Sequence, residues 1–404
     1  MPKVLQIQAN PCIRAWKQAN ALKIMGWDVY LGQMSNQFEG YYTIPTDAYK
    51  EIFYLTSVAG LLNIADYFDI IHCHNEPDWW TAFALCVTNK KKVPVVYDCH
   101  DFVPGRQRVL PEYLATSFVA NCLSDLAVYV SDNQMTHVNN MMGELQTDSI
   151  VIENYPSANC IPKELKEKKK SDKIKLVYAG GISGERGNHR FFIDEFRSMM
   201  QCGFEVYCYA PNYNKLYDKL NCFDDWHFMG HCAYDKLIKE LSQYDIGLLP
   251  FTKTPENEEH LNMGLSNKLF EYLCAGLPVA CKAGLEQYDK FITENKCGIM
   301  YNNVGHLREE VELNLPDIDI DVFQWTMEKQ VKDILIPKYE ALMVGNKYEK
   351  IEVENILTYK DMVVELEAYT GDGFETGFFG RGRDKDLYFE SWFAEELVKA
   401  KEEA

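Results

Sequence analysis

One short segment, Ser266–Pro278, combines residue types that could bind a nucleotide. Its sequence, SNKLFEYLCAGLP, begins with polar residues, continues in an apolar helical pattern and ends at a glycine and a proline. A helix N-terminus favours anions, and Lys268 adds a charge suited to phosphate. Glu271 shares a helix face with Lys268 and could accept hydrogen bonds from sugar hydroxyls. The pattern predicts a phosphate and ribose site, although an ordinary amphipathic helix with an exposed Lys–Glu pair has the same pattern.

A glycine-rich segment after a predicted strand could contribute to the same site. The strand Ile174–Ala179 runs into GGISGERG, whose glycines let the backbone approach a phosphate. The guanidinium of Arg186 in this segment can bind phosphate oxygens. A glycine-rich turn is a weak signal alone, and it gains weight because Lys268 lies in the same half of the chain.

Polar residues also end two predicted strands in the first half of the chain. The strand DIIHCH contains His72 and His74, which are two residues apart and therefore face the same side. The strand VPVVYDCH ends at His100. Ligands of such sheets bind beyond the carboxyl ends of the strands, so these clusters predict a single cleft. A structural, hydrogen-bonded role remains the alternative for His72, and a histidine on a surface turn the alternative for His100.

Metal binding and disulfide formation are both disfavoured. A ligand set of Cys73, His74 and Cys99 would use strand neighbours whose side chains point to opposite faces. The 13 cysteines include no CxxC pair, and no signal peptide is recognisable at the N-terminus. We therefore expect reduced thiols and a cytoplasmic protein.

Strands and helices alternate along two halves of the chain, which predicts two doubly wound α/β domains. The loop after the first strand lacks GxGxxG, which counts against a dinucleotide-binding dehydrogenase. The charged segment Lys163–Lys173 predicts a solvated linker between the halves. The predicted strands are Lys3–Gln8, Trp27–Leu31, Asp69–His74, Val93–His100, Ala127–Ser131, Ile150–Asn154, Ile174–Ala179, Phe204–Ala210, Trp226–Gly230, Asp245–Phe251, Val279–Ala283 and Gly298–Tyr301.

Composition limits the partners. The 404 residues carry a net charge of −19, which argues against a nucleic-acid partner. The tail from Val344 onward contains 15 acidic and 8 basic residues, and so contributes −7. No apolar run reaches the roughly 18 residues of a membrane span, whereas contact with a membrane surface stays open.

The segment Ser266–Pro278 resembles the donor-site helix of family 4 glycosyltransferases of GT-B fold. In that family a polar loop, a Glu-Tyr-Leu run and an Ala-Gly-Leu-Pro-Val ending recur. The likeness covers about residues 1–343 and is strongest at 174–283. It implies two Rossmann-like domains that face each other across a cleft. The implied parts are an acceptor-binding domain, 1–165, a donor-binding domain, 174–322, a helix that crosses back to the first domain, 323–343, and a tail of unknown role, 344–404.

The resemblance also implies roles for individual residues. Catalytic roles fall to three of them: His100, Arg186 and Lys268. Donor binding falls to Gly180, Gly181, Arg186, His231, Cys232, Leu265, Ser266, Asn267, Lys268 and Glu271. The acceptor is expected near Asn10, Arg14 and His74.

Two positions depart from the family pattern. Met263 stands where many members carry a second Glu that contacts the donor sugar, eight residues before Glu271. Gly181 stands where members carry the earlier of two basic residues in the pyrophosphate loop. These departures leave the sugar open, together with the activity itself.

The implied function is retaining transfer of a sugar from a nucleotide diphosphate to the hydroxyl of a carbohydrate or lipid-linked glycan. Fixed cations and amides would stabilise the leaving diphosphate, so neither a metal nor a cofactor is expected. A leaving phosphate oxygen would take the acceptor's proton. Two alternatives stay open: a GT-B nucleotide-sugar 2-epimerase, and an inactive GT-B subunit that binds a partner through its tail.

Overall fold

The computed structural model describes residues 1–9, 12–33, 45–55, 58–75, 78–91, 93–102, 111–143, 147–168, 171–183, 188–210, 213, 215–255, 257–316, 318 and 321–344. Asn10, Arg186 and the acidic tail after residue 344 lie outside the described residues. The predictions made for them stay predictions.

The first domain is built on a parallel sheet. Within the described residues the sheet has seven strands in the order β3-β2-β1-β4-β5-β6-β7. The strands are β1 (Lys3–Gln8), β2 (Asp28–Gln33), β3 (Ile52–Tyr54), β4 (Ile70–His74), β5 (Val95–Cys99), β6 (Leu126–Tyr129) and β7 (Ser149–Val151). The helices are α1 (Ile13–Ile24), α2 (Val58–Ile64), α3 (Trp79–Lys91), α4 (Pro111–Leu123) and α5 (Asp132–Met142).

The second domain repeats this plan. Its described residues form a six-stranded parallel sheet in the order β10-β9-β8-β11-β12-β13. The strands are β8 (Lys175–Ala179), β9 (Glu205–Tyr209), β10 (Trp226–Gly230), β11 (Ile246–Leu249), β12 (Val279–Lys282) and β13 (Gly298–Tyr301). The helices are α6 (Ile193–Gln201), α7 (Tyr234–Leu241), α8 (Glu258–Asn262), α9 (Asn267–Cys274), α10 (Glu286–Asn295) and α11 (Val304–Asn314).

The last described helices return to the first domain. They are α12 (Met327–Gln330) and α13 (Ile336–Val344), joined by a π-helical turn at Val331–Leu335. The amide of Met327 donates to the carbonyl of Pro156 at 2.9 Å. Farther along, the buried ring of Tyr339 packs on Trp27 with ring centroids 5.4 Å apart. The segment therefore ends against the sheet where the chain began.

Apolar strand residues place both sheets in the protein interior, because parallel sheets are covered by helices on both faces. The donor-site helix predicted from the sequence, α9, packs directly on β11. A Cβ added to Gly247 of β11 would lie 2.2 Å from Cγ of Tyr272, so only glycine leaves room for that ring. The hydroxyl of Tyr272 in turn accepts the amide of Ala179 at 2.9 Å. These contacts fix α9 relative to the end of β8.

Every predicted strand is present in the structure, although the ends of most strands differ from the predicted bounds by one to three residues. The short strand β3 was missed, because its three residues are flanked by sequence without a recognisable alternating pattern. The strand predicted at Ile150–Asn154 is wrong in its bounds, since β7 ends at Val151. The segment Lys163–Lys173 is irregular where it is described, and it lies along the second domain, with Lys166 Nζ 2.6 Å from Glu240 Oε2.

Candidate active site

In each parallel sheet, the loops and helix ends that follow the strands lie together at the edge formed by the carboxyl ends of the strands. The strand order changes direction between β1 and β4 in the first sheet and between β8 and β11 in the second. Ligands of open α/β sheets bind outside the strand ends at such a point. The segments that leave these points carry the residues predicted from the sequence, so the candidate site lies here.

In the second domain, Lys268 lies under the glycine turn that follows β8. The backbone of Gly180 has a φ of +145°, and a Cβ there would lie 2.7 Å from Cε of Lys268. A side chain at position 180 would therefore displace the lysine and strain the backbone. The ammonium group lies 5.7 Å from the ring centroid of Tyr178, whose hydroxyl donates to the carbonyl of Gly181 at 3.0 Å. The turn and Lys268 form one unit, as the sequence predicted.

Among the described residues, two charged side chains act on Lys268: the cation Arg190 and the carboxylate Glu271. Burial is the largest influence, and together with the positive charge of Arg190 it lowers the pKa of Lys268 to about 8, while Glu271 opposes the shift. Arg190 is therefore a second cation near the glycine turn. Sequence reasoning missed it and considered only Arg186 for this role. Its signal was present, because Arg190 belongs to the same segment between β8 and α6.

The N-terminus of α9 faces the same space. Ser266 is the residue before the helix, and its extended backbone ends the loop that leaves β11. Its amide donates to the hydroxyl of Tyr288 at 2.9 Å, which fixes the helix entry. The first amides of a helix lack intrahelical partners, so this end is suited to an anion.

A buried lysine of α1 reaches this helix from the first domain. Lys17 Nζ lies 2.6 Å from Oδ1 of Asn267 and 3.4 Å from the carbonyl of Asn154. Burial lowers the pKa of Lys17 to about 8, against the opposing effect of Glu271. Asn154 also donates through Nδ2 to the carbonyl of Leu265 at 3.1 Å. Sequence reasoning missed Lys17, because the side chains involved lie 250 residues apart in the chain.

The remaining predicted donor residues occupy the same half of the cleft edge. Glu271 is buried in α9, close enough to Tyr234 of α7 to raise the pKa of that tyrosine, although burial raises it more. His231 and Cys232 follow the edge strand β10, where His231 is exposed and Cys232 is half-buried. The structure thus groups Gly180, Gly181, Lys268 and Glu271, and places the 231–232 pair at the sheet's outer strand.

In the first domain, Asp98 at the end of β5 is the centre of a buried polar cluster. Arg14 Nε donates to its two carboxylate oxygens at 2.9 and 3.1 Å. Gln18 Nε2 donates to Oδ2 at 2.7 Å. Burial would raise the pKa of Asp98, but Arg14 and the nearby histidines outweigh it and hold that pKa well below the usual range. Arg14 is thus engaged by Asp98, and its predicted contact with an acceptor stays a prediction.

His72 and His74 stack on one face of β4, as their spacing predicted, with ring centroids 4.3 Å apart. Nδ1 of His72 lies 2.5 Å from the hydroxyl of Tyr339, so the crossing helix anchors this ring. Burial lowers the pKa of His72 to about 4, and it lowers the pKa of His74 well below the ordinary value. Both rings are neutral at physiological pH. Neither ring nitrogen of His74 has a hydrogen-bond partner among the described residues.

His100 follows β5 on a turn that Asn75 holds. The side-chain oxygen of Asn75 accepts the amides of His100 and Asp101 at 3.1 and 3.2 Å. On one side of the ring, Nδ1 lies 3.3 Å from Oδ1 of Asp98. On the other, Nε2 lies 4.0 Å from the sulfur of Cys12. Burial would lower the pKa of His100, but Cys12 and Asp98 outweigh it and raise that pKa to about 10. This histidine therefore carries a positive charge at the cleft.

In the described part of the chain, one group of side chains has ligand atoms close enough together for a metal ion: His72, His74 and Asp98, within 4.8 Å of one another. The carboxylate of that group is already neutralised by Arg14, so we assign no ion to it. The cysteines considered from the sequence are no better, since burial raises the pKa of Cys73 to about 12.

Met263 is buried at the contact between the two domains. Its side chain is 4% exposed and belongs to an apolar cluster of the first domain that contains Tyr97, Phe102 and Tyr129. The hydroxyl of Ser131 donates to the carbonyl of Met263. Met263 of the second domain thus contacts the first domain through both its side chain and its carbonyl. Nearby, His137 Nδ1 lies 2.9 Å from Oε1 of Glu259.

No protein-family model and no curated protein sequence matches the chain. Solved structures do match. Anabaena HepE, crystallised with UDP, aligns with a TM-score of 0.57 at 12% identity over 92% of this chain and 99% of its own. Sucrose-phosphate synthase from Thermosynechococcus elongatus aligns with a TM-score of 0.53 at 11% identity over 92% of this chain and 98% of its own. The lipopolysaccharide outer core galactosyltransferase WaaB aligns with a TM-score of 0.55 at 11% identity over 85% of this chain and 99% of its own.

These alignments confirm the GT-B fold that the sequence predicted. At identities this low, they establish the fold alone, and any activity has to be argued from the site. In the described part of the chain, no helix is both long enough and apolar enough to cross a membrane.

Proposed function

We propose that this protein is a retaining glycosyltransferase of family 4 that moves a hexosyl group from a nucleotide-diphosphate sugar to an acceptor hydroxyl in glycan or glycoconjugate synthesis. The observation that carries the proposal is the position of Lys268. It lies at the strand switch point of the second sheet, under the turn at Gly180 and at the N-terminus of α9. A half-buried cation, a close backbone and a helix N-terminus together favour a diphosphate.

In this proposal, the second domain binds the donor. Lys268 and the amides of α9 hold the diphosphate, with Arg190 beside them, and Arg186 shares this role as the sequence predicted. Glu271 accepts hydrogen bonds from the ribose hydroxyls, while Leu265, Ser266 and Asn267 form the wall of the site. His231 and Cys232 border the base at the outer strand.

The first domain supplies the acceptor side and one cation. His100 faces the cleft with a positive charge that Cys12 and Asp98 maintain, and it can approach the donor sugar and its phosphate. The acceptor binds near Asn10, Arg14 and His74, and the unpartnered ring nitrogens of His74 offer hydrogen bonds to hydroxyls.

The chemistry requires stabilisation of the leaving diphosphate, which fixed cations and amides supply without a metal ion. The acceptor hydroxyl attacks the anomeric carbon on the face that the diphosphate leaves, so the configuration is retained. The carbon–oxygen bond to the phosphate breaks, and a departing phosphate oxygen takes the acceptor's proton. No protein base is needed in this step.

A uridine nucleotide is the first donor class to test, because the similar HepE structures hold UDP and UDP-glucose. The full chain is screened by thermal shift against UDP-, GDP- and ADP-sugars, and the best donor is then followed by mass spectrometry with glycan acceptors. We expect one class to raise the melting temperature and to be consumed in the presence of EDTA. A requirement for Mn²⁺ or Mg²⁺ would contradict the metal-free mechanism.

The same assay separates the alternatives. An epimer formed from the nucleotide sugar alone would identify a 2-epimerase. Binding of a nucleotide sugar with neither transfer nor hydrolysis would identify an inactive binding subunit. Absence of any nucleotide binding would contradict the proposed function altogether.

A further inference from the structure

Cys12 occupies a position that differs from those of the other cysteines. It is the residue immediately before α1, and its sulfur accepts the amide of Ala15 at 3.4 Å. A helix N-terminus stabilises a negative charge at such a position. The side chain is partly exposed at the cleft edge, whereas Cys73 and Cys99 on the neighbouring strands are buried.

The sulfur of Cys12 also belongs to a chain of titratable groups. Nε2 of His100 lies 4.0 Å from it, and Nδ1 of the same ring lies 3.3 Å from Asp98. Asp98 is held in turn by Arg14. A thiol, an imidazole and a carboxylate are thus arranged in sequence, and the carboxylate fixes the orientation of the imidazole that faces the sulfur.

The charges around Cys12 favour its ionised form. Burial opposes ionisation, but the positive charge and hydrogen bond of His100 and the amide of Ala15 outweigh it and lower the pKa of Cys12. Asp98 acts in the opposite direction through its negative charge. The other titratable group that senses Cys12 is the buried hydroxyl of Tyr49, whose pKa is raised mainly by burial.

We propose that Cys12 is a nucleophilic thiolate, paired with the His100 imidazolium, that reacts with soft electrophiles and with hydroperoxides. Thiolates react, whereas thiols do not, so the pairing selects this cysteine. The site shares His100 with the proposed donor chemistry, but the reactivity of Cys12 in the free protein holds whether or not the protein is a transferase.

Cys12 and His100 together supply the nucleophile and the proton that the reaction with hydrogen peroxide needs. The sulfur attacks one peroxide oxygen, so a sulfur–oxygen bond forms and the oxygen–oxygen bond breaks. The sulfur is oxidised to a sulfenic acid, and the peroxide is reduced. The second oxygen leaves as hydroxide and takes the proton of the His100 imidazolium to give water. Both protein groups end uncharged.

The test compares Cys12 with the exposed Cys222 in the same molecule. The intact, full-length protein is treated briefly with iodoacetamide between pH 6 and pH 8, quenched, digested, and read peptide by peptide by mass spectrometry. An ordinary thiol loses about tenfold in thiolate fraction per pH unit well below its pKa of about 8.5. We therefore expect the ratio of Cys12 to Cys222 labelling to rise several-fold from pH 8 to pH 6, because Cys12 with its lowered pKa keeps a larger share of thiolate than Cys222 does.

A variant identifies the partner. His100→Gln should remove the rise of the ratio, whereas His306→Gln in α11 serves as the matched control and should keep it. The folded state of each variant is checked by its melting temperature, and the wild-type profile decides the proposal if His100→Gln does not fold. In a second arm, peroxide followed by dimedone should label Cys12, and Cys12→Ser should lose that label.

A pH-independent ratio in the wild-type protein, or an unlabelled Cys12, would overturn the proposal. A folded His100→Gln protein with the wild-type pH profile would overturn the pairing with His100. Dimedone labelling of Cys222 without labelling of Cys12 would overturn the reaction with peroxide.

Discussion

The two strand edges that meet at the cleft differ in how their charges are compensated. In the first domain, the carboxylate of Asp98 is bonded to Arg14 and Gln18 and approached by His100. In the second domain, Lys268 lies beside another cation, Arg190, and its pKa is lowered to about 8, mainly by burial. The first edge is compensated within the protein, whereas at the second edge the described residues place two cations, Lys268 and Arg190, near one carboxylate, Glu271. This difference is the reason for proposing that an anionic ligand binds at the second edge, while the first edge supports the fold.

The largest effect on this comparison is expected from Asp98→Ala. Removing the carboxylate leaves Arg14 buried without its partner, so we expect the free energy of unfolding to fall by about 3–5 kcal/mol. Urea unfolding of the full chain measures the loss. The control is Asp225→Ala, which removes a surface pair with Lys173 and should cost about 1 kcal/mol or less. Equal losses in the two variants would contradict an internally compensated first edge.

Lys268→Met tests the second edge, where we expect a loss of ligand affinity instead of a loss of stability. Stability should stay within about 1 kcal/mol, because the variant removes a charge that burial disfavours. Affinity for UDP should fall roughly 10- to 100-fold, because losing a hydrogen bond to a charged group costs about 1.5–3 kcal/mol of binding free energy. Calorimetry with UDP and uridine separates the contributions, and Lys290→Met is the matched surface control. Equal losses for UDP and uridine would show that Lys268 does not contact the diphosphate.

The pH dependence of binding sharpens the same point. In the proposed function the ammonium form of Lys268 binds the diphosphate, and burial lowers the pKa of Lys268 in the free protein to about 8. Above that pH the free amine is neutral, so binding must take up a proton and the affinity must fall. We expect about a tenfold loss of UDP affinity between pH 7 and pH 9 in the wild-type protein. The UDP affinity of Lys268→Met should not change with pH over this range. If the variant keeps the wild-type pH dependence, the titrating group is another residue, and Lys17 is a candidate because its pKa is also lowered to about 8.

The smallest effect is expected at the rim between the edges. His137 and Glu259 form a pair in which the Glu259 side chain is 61% exposed. Such pairs contribute about 0–1 kcal/mol, so His137→Ala should change neither stability nor UDP affinity by more than that. Met263→Leu changes the buried part of the same contact between the domains. Because this change conserves side-chain volume, it should also have little effect on stability. A loss above about 2 kcal/mol for His137→Ala would show that the rim pair holds the domains together.

Local patterns in the sequence determined most of the fold. Alternating apolar runs identified the strands, and the glycine and proline after α9 identified its end. The spacing of His72 and His74 placed both rings on one face, because strand side chains alternate. The same rule places Asp98 and His100 near each other, since they are two residues apart at the end of β5. Sequence reasoning overlooked Asp98, although its signal was present.

Tertiary structure alone decided which of these residues meet. Lys17 and Asn267 lie 250 residues apart, and Cys12 and His100 lie 88 apart, yet their side chains approach each other. The sequence left the effect of Met263 on the sugar open, and the structure packs this residue into the first domain's apolar cluster. The physical reason is that periodicity fixes only the direction of a side chain on its own element. Contacts between elements depend on how two domains pack, and burial in those contacts then sets the charge that each group carries.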